Sequence, residues 1–487
     1  MSAKSRTAQD TQRYLSNKKF AERSFLLIVS KLMRVCIQLF ILFLYSRKLS
    51  YKDYGLYQSI WLYVNILSVF GLFGLPSIIL SSSNNNIISW VKENKKNFLI
   101  LASILNILPI ICIFFEAPEY DTSIWILLIL LTLVQNISII VETIAIKKEK
   151  EKLVLISNVI FTVGYCIAHI LIFFIGYSLS VLLSAIVLIF LLKSIVILYF
   201  DKKLLTAKDH ISTPIIGKQW AYIGLFDIIS IISRSIDKWL ILILFSYATF
   251  ATYYNGSYEI PVFGLMLTAV DSILIVDLAK KNNDIKTKAP ELFTNSSLLL
   301  AAIVFPCFCF LFFYHQEFFI LVFSSKYKEA IPVFLVSIFV LPVRINNFTS
   351  VLQVSNRNDL ITKGALIDIL STIILMLIFY PILQMRGLAL SFVVATYIQC
   401  GYYLFKTAQL LDKKTTDLLP IKKLLLFMSF SLIIIGAIKY ITISFDFLWI
   451  IITGVLSCIA VISILLLYHF KKDTHAITLI TNINNYL

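Results

Sequence analysis

Of the 487 residues, 59% are hydrophobic and 14% charged, and the mean hydropathy is +0.87, which excludes a water-soluble globular protein. The formal net charge of +16 does not indicate nucleic acid, because the Lys and Arg sit in short loops between apolar runs and form no separate basic face. The charge reports membrane topology.

A bilayer core needs about 20 consecutive apolar residues per helix. Residues 1–23 are polar and basic and read as a cytoplasmic N-terminal segment, since the apolar run after them is too long for a signal-peptide core and has no small-residue cleavage site. The pattern predicts an all-α polytopic membrane protein of about fourteen transmembrane helices, at 24–46, 54–80, 97–115, 123–146, 153–175, 179–200, 219–245, 249–276, 292–314, 329–356, 360–382, 387–409, 422–440 and 446–469. The first six form an N-lobe (24–200) and the next six a C-lobe (219–409), joined by a cytoplasmic linker (201–218). A second linker (410–421) leads to the last two helices (422–469) and a cytoplasmic tail (470–487).

With the N-terminus inside, thirty of the 43 Lys and Arg fall in cytoplasmic segments or the span ends bordering them and seven on the far side, which orients the chain. Trp125, Trp220 and Trp449 stand near span ends and read as interface anchors. The seven cysteines lie in apolar runs, where a thiol behaves as a small hydrophobe. Neither they nor the five histidines, of which only His169 is inside a span and His469 at a span end, have metal-ligand spacing.

Arg34 is followed twenty residues on by Tyr54, and Arg234 twenty residues on by Tyr254. In each case a cation-bearing span leads through a short outer loop into a Tyr- and Gly-containing start. Six spans separate the two, so the halves read as parallel repeats.

The informative residues are ionisable groups inside spans: Lys31, Arg34, Asp227, Arg234, Asp237, Lys238, Glu259, Asp271, Arg344 and Asp368. The seventh span holds four of them, at about 2.5–3.5 kcal/mol each, which outweighs the roughly 4–8 kcal/mol returned by its Ile, Leu and Phe. It must therefore turn a polar stripe towards protein or water, with Asp227, Arg234 and Lys238 within about 40° of one another. Lys31 and Arg34 share a face of the first span. Lys193 and Glu142 lie close to the cytoplasmic boundary, where Lys193 is expected to snorkel. These charges either line a path for an anionic substrate or pair off as staples between helices. The first is favoured, because buried pairs stabilise poorly compared with apolar packing. Pro261, Pro306 and Pro342 are candidates for bending helices around such a path.

The stretch Arg47-Lys-Leu-Ser-Tyr-Lys-Asp-Tyr-Gly-Leu-Tyr57 with Gly71-Leu-Phe-Gly-Leu75, the stretch Ser235-Ile-Asp-Lys238 with 253–261, and Phe323-Ser-Ser-Lys-Tyr-Lys-Glu-Ala330 resemble signatures of Wzx-type polysaccharide flippases of the MOP superfamily. The resemblance implies two six-helix lobes around a central cavity in a bacterial inner membrane. It implies as substrate an oligosaccharide on undecaprenyl diphosphate, and as partners membrane lipid, a polysaccharide polymerase and a chain-length regulator. Lys31, Arg34, Arg234, Lys238 and Arg344 are then the expected diphosphate ligands. Asp227, Asp237, Glu259 and Asp368 are the candidates for coupling to a proton or sodium gradient, and no other cofactor is expected. A multidrug antiporter of the same superfamily is the first alternative, disfavoured because organic cations mismatch a cation-rich cavity. A membrane-embedded glycosyltransferase or polymerase is the second, disfavoured by short outer loops and the lack of a nucleophile or phosphate-loop motif. A channel, the third, lacks a filter sequence.

Overall fold

The computed structural model describes residues 32–81, 94–116, 120–148, 150–176, 178–200, 215–279, 285–346, 348–355 and 357–471. Among the described residues the secondary structure is entirely helical, as backbone in lipid requires when every N–H and C=O must be satisfied within its own segment. Among the described residues nine helices are long and apolar enough to cross a membrane by length and composition alone. The remaining expected spans are present as the helix over 32–48, Lys95–Glu116, the charged Ile215–Leu244, and two interrupted spans. Large apolar side chains turned outward, such as Phe115 at 78% and Leu377 at 74% exposure, are what a lipid-facing surface needs.

The chain divides into two compact units. Unit one holds the described residues up to Leu44 and those from Leu56 to Ile231; unit two holds Tyr45–Gly55 and the described residues from Ile232 onward. The division passes through the helix Ile215–Leu244, and residues 201–214 of the expected linker lie outside the described residues.

In unit one the second span breaks at Phe73 and Gly74, both at positive φ (42° and 71°), into Tyr51–Leu72 and Leu75–Ser81. A Cβ on Gly74 would lie 2.8 Å from the Gly224 nitrogen, so the close approach requires glycine. The Phe73 carbonyl freed by the break accepts a 2.6 Å hydrogen bond from Trp220 Nε1. This corrects the expectation for two of the three tryptophans. Trp220 is buried and bound to Phe73, and Trp125 is buried against the Tyr120 and Phe114 rings; only Trp449 is exposed, at 59%. Backbone released by a kink is a better partner for a buried indole than interfacial water.

In unit two the eighth span is interrupted. Tyr247–Gly256 ends at Ser257, and a new helix starts with Pro261, whose missing N–H costs nothing at a first turn. Ten residues at 1.5 Å rise carry the chain about 15 Å, half of a hydrocarbon core roughly 30 Å thick. The tenth span is more broken: Ile331–Ser337 tightens into a 3-10 stretch, Ile338–Val343, containing Pro342, and regular helix resumes only at Ser350–Val354. Pro306, by contrast, sits inside the continuous helix Ile285–Phe313. Non-helical backbone at membrane depth is tolerated where it is buried in protein or lines a wet cavity.

The segment Tyr45–Gly55 packs into unit two through backbone-directed contacts. Arg47 donates to the carbonyls of Ile320 (3.1 Å), Leu321 (2.6 Å) and Val322 (3.2 Å), the acceptors left over at the C-terminal end of helix His315–Phe323. Tyr54, fully buried, donates to Asn255 Oδ1 at 3.1 Å. Two of the stretches that carry the family resemblance thus touch directly.

Candidate charged sites within the spans

Unit one holds a cluster centred on Glu142. Its carboxylate accepts from Arg34 Nη2 (3.3 Å), from Asn158 Nδ2 (3.2 Å) and from the Lys193 ammonium. Lys193 is only 2% exposed and also stands 5.4 Å from the Phe161 ring centroid. It does not snorkel. The apolar stem that would have carried its charge to the surface is enclosed, and the charge is neutralised where it lies. Two cations share one carboxylate here, and the Arg34 side chain keeps 32% exposure. On sequence Glu142 and Lys193 each lie within two turns of a span end, where a charge is expected to reach the surface. That both lie at the same shallow depth in neighbouring helices was the signal available. Lys31 lies outside the described residues.

Nearby in unit one, the Tyr57 hydroxyl lies 3.2 Å from His169 Nε2, and His169 Nδ1 lies 2.8 Å from the Tyr165 carbonyl. Since only an N–H can bond a carbonyl, Nδ1 carries the proton and Nε2 accepts from Tyr57. The histidine is a fully buried structural bridge.

Unit two gathers most of the residues singled out from the sequence. Asp237, 2% exposed, accepts from Tyr253 at 2.8 Å and from Lys238 at 3.4 Å. Glu259 occupies the interruption of the eighth span, and its Oε2 lies 2.9 Å from Nη2 of Arg344, which occupies the interruption of the tenth. Arg234 and Lys238 are within electrostatic reach of the same Glu259, and Arg234 and Arg344 of Asp368. The broken spans therefore place side chains from four segments around one point. A cavity of about 30 Å3, lined by Asp237, Lys238, Ser257, Glu259 and Arg344 among others, adjoins these groups. That is room for one or two waters, and the buried Ser257 hydroxyl facing it has no hydrogen-bond partner. In this state the space is too small for a diphosphate.

Asp368 differs from the other carboxylates. Its Oδ2 accepts from Ser233 at 2.5 Å, while Oδ1 and the Thr372 hydroxyl one turn further on are buried without hydrogen-bond partners. Asp227 is half-buried on the same helix as Arg234, nearer its N-terminal end. The side chain of Asp271 lies outside the described residues.

The cations were expected to stand ready for a phosphate. Instead, Arg34, Lys238 and Arg344 are each held by a carboxylate. Unpaired cations at membrane depth would each carry a desolvation cost of several kcal/mol, and the carboxylates offset it.

Residues 44–332, more than half of the chain, match the family model described as "Polysaccharide biosynthesis protein". No curated protein sequence matches the chain. Among solved structures, a lipid II flippase, MurJ, in an inward closed conformation is similar at a TM-score of 0.68 and 17% identity, covering 91% of this chain and 98% of that one. An inward-facing multidrug resistance MATE transporter of the MOP superfamily is similar at 0.53 and 14% identity, covering 79% and 94%. A MOP-superfamily transporter from Pyrococcus furiosus is similar at 0.55 and 13% identity, covering 81% and 96%. The Wzx-type, MOP-superfamily resemblance of the sequence agrees with this fold, and the chain belongs to the polysaccharide biosynthesis protein family.

Proposed function

We propose that the protein is a flippase. It carries an oligosaccharide linked to undecaprenyl diphosphate from the cytoplasmic to the outer leaflet of a bacterial inner membrane, with both termini cytoplasmic, and so supplies a surface polysaccharide such as O-antigen. The observation that carries this reading is the grouping of Arg234, Lys238 and Arg344 around Glu259 at interrupted spans, in a chain of a polysaccharide-biosynthesis family. Broken helices at mid-membrane are where secondary transporters bind their cargo.

Carboxylates hold the cations charged and oriented while the site is empty. A diphosphate, with more acceptor oxygens and greater charge than one carboxylate, then exchanges for Glu259 at Arg344; Arg34, held by Glu142 in the other unit, is a separate candidate ligand. Bidentate guanidinium–phosphate pairing favours the exchange. Lys238 contributes from the seventh span. Arg234 joins it from the same span, Lys31 of the first span is a candidate ligand on sequence alone, and the prenyl tail stays in lipid. Asp368 is the coupling carboxylate among the four considered: Asp237 and Glu259 are committed to Lys238 and Arg344, Asp227 stands two helical turns before Arg234, and Asp368 keeps one oxygen unbonded beside Thr372. Its occupant is a proton or a sodium ion. A polymerase and a chain-length regulator act on the delivered cargo.

Multidrug transporters share the fold, so the choice between cargoes rests on chemistry: a guanidinium such as that of Arg344 can exchange its carboxylate partner for a diphosphate, whereas an organic cation offers it no acceptor. Deletion of the gene tests the reading. Lipid-linked single repeat units stranded on the cytoplasmic leaflet support it, and drug sensitivity with intact surface polysaccharide refutes it.

A further inference from the structure

A second cavity in unit two, of about 460 Å3, opens where Tyr51, Thr249, Lys326, Glu329, Gln384 and Arg386 converge. Its size falls in the range of ligand pockets, roughly 300–1,000 Å3. The Lys and Arg distribution assigns this end of the unit to the extracytoplasmic side. It is separate from the charged cluster around Glu259, whose lining residues it does not share.

The lining is chemically mixed. Lys326 is committed: its ammonium donates to the Leu49 carbonyl at 2.5 Å and lies 4.2 Å from the Tyr51 ring centroid. Burial holds its pKa below the ordinary lysine value. Glu329, Gln384 and Arg386 are exposed, and among the described residues none of their side chains makes a hydrogen bond or ion pair. Gln384 joins Asn358–Leu383 to Met385–Leu410 with φ 50° and ψ −129°, a conformation usually left to glycine. The turn cannot relax easily, since a Cβ on Gly387 would lie 2.3 Å from the Phe379 carbonyl oxygen. The tight hairpin fixes the backbone that carries Gln384 and Arg386 at the cavity.

We propose that this cavity binds the oligosaccharide part of the cargo, a reading that rests on the flippase function above. A sugar presents neighbouring hydroxyls that both donate and accept, and a C–H face that packs on an aromatic ring. Glu329 accepts, Arg386 donates in a planar fork, Gln384 and Thr249 do both, and Tyr51, 39% exposed, supplies the ring. A phosphate site would not set a free carboxylate beside its cation, and a lipid tail would not need four polar side chains.

The test uses the full-length protein in lipid nanodiscs. The probe is the free oligosaccharide released by mild acid from the cell's own lipid-linked intermediates, with binding followed by calorimetry. Wild-type protein is expected to bind it, and Arg386→Ala and Glu329→Ala each to weaken binding about tenfold or more, the loss of a charge-assisted hydrogen bond. Inorganic diphosphate is expected not to compete. No binding, undiminished binding by both variants, or displacement by diphosphate overturns the proposal. Both side chains are exposed, so neither substitution opens a cavity. If deletion of the gene strands cargo while the purified protein ignores the free sugar, the pocket assignment fails and the flippase reading stands. If sugar binds but deletion leaves export intact, the reverse holds.

Discussion

Arg344 Nη2 stands 2.9 Å from Glu259 Oε2, and each residue lies in the interruption of a different span. Both side chains remain partly exposed, at 23% and 34%, so an incoming anion can open the pair once the small cavity beside it widens. Arg344→Gln is expected to lower affinity for the lipid-linked diphosphate by about tenfold or more, the contribution of a charge-assisted pair. Glu259→Gln removes the competing carboxylate and is expected to tighten binding while slowing release. Equilibrium binding and single-turnover translocation in proteoliposomes check both. Weaker binding by the Glu259 variant would sink the exchange scheme.

The unit-one cluster makes a prediction about stability. Glu142→Gln leaves Lys193, 2% exposed, without its countercharge, and a broken buried pair costs about 3–5 kcal/mol. The double variant Glu142→Leu with Lys193→Met is expected to recover most of that loss, because apolar replacement of a buried pair is commonly neutral or better. Thermal unfolding midpoints in detergent read both. Arg34 becomes free in the double variant, so cargo binding should survive in it; its loss would mean that Glu142 does more than hold cations.

Gly55 sets a steric limit. A Cβ there would lie 2.1 Å from the Tyr247 carbonyl oxygen, and a backbone atom cannot step aside as a flexible side chain can. Gly55→Ala is expected to cost about 1–3 kcal/mol as overpacking and to expose Tyr45–Gly55 to protease. Hydrogen exchange of that segment, measured by mass spectrometry, should rise. Unchanged exchange would show that the backbone shifts at no cost.

Arg47 provides an independent check on the same segment. Arg47→Ala removes three hydrogen bonds to carbonyls of Ile320, Leu321 and Val322. Because the side chain is partly solvated, the loss is expected nearer about 1.5 than 3 kcal/mol. Lysine at this position should restore little, since a point charge cannot span three acceptors as a guanidinium does.

Asp368→Asn is expected to abolish stimulation of transport by a proton or sodium gradient while leaving cargo affinity in the absence of a gradient unchanged. Vesicles with imposed gradients distinguish the two ions. Retained stimulation in this variant would remove Asp368 from the coupling role.

Much was legible along the chain because it depends on local quantities. Apolar run length fixed where the spans lie to within a few residues, as Asn358–Leu383 and Met385–Leu410 illustrate against the expected 360–382 and 387–409. Charges at span centres identified Asp237, Lys238, Glu259, Arg344 and Asp368 as groups that need partners, since no isolated helix can carry them in lipid. Which partner each found was decided only in three dimensions. Residues more than a hundred positions apart, such as Arg34 and Glu142, meet through packing that periodicity does not encode. The same holds for Trp220, expected at an interface and found capping the Phe73 carbonyl. A sequence states which groups water or lipid will not tolerate alone, while the tertiary structure chooses among the neighbours able to satisfy them, because hydrogen bonds and ion pairs depend on ångström distances between distant segments.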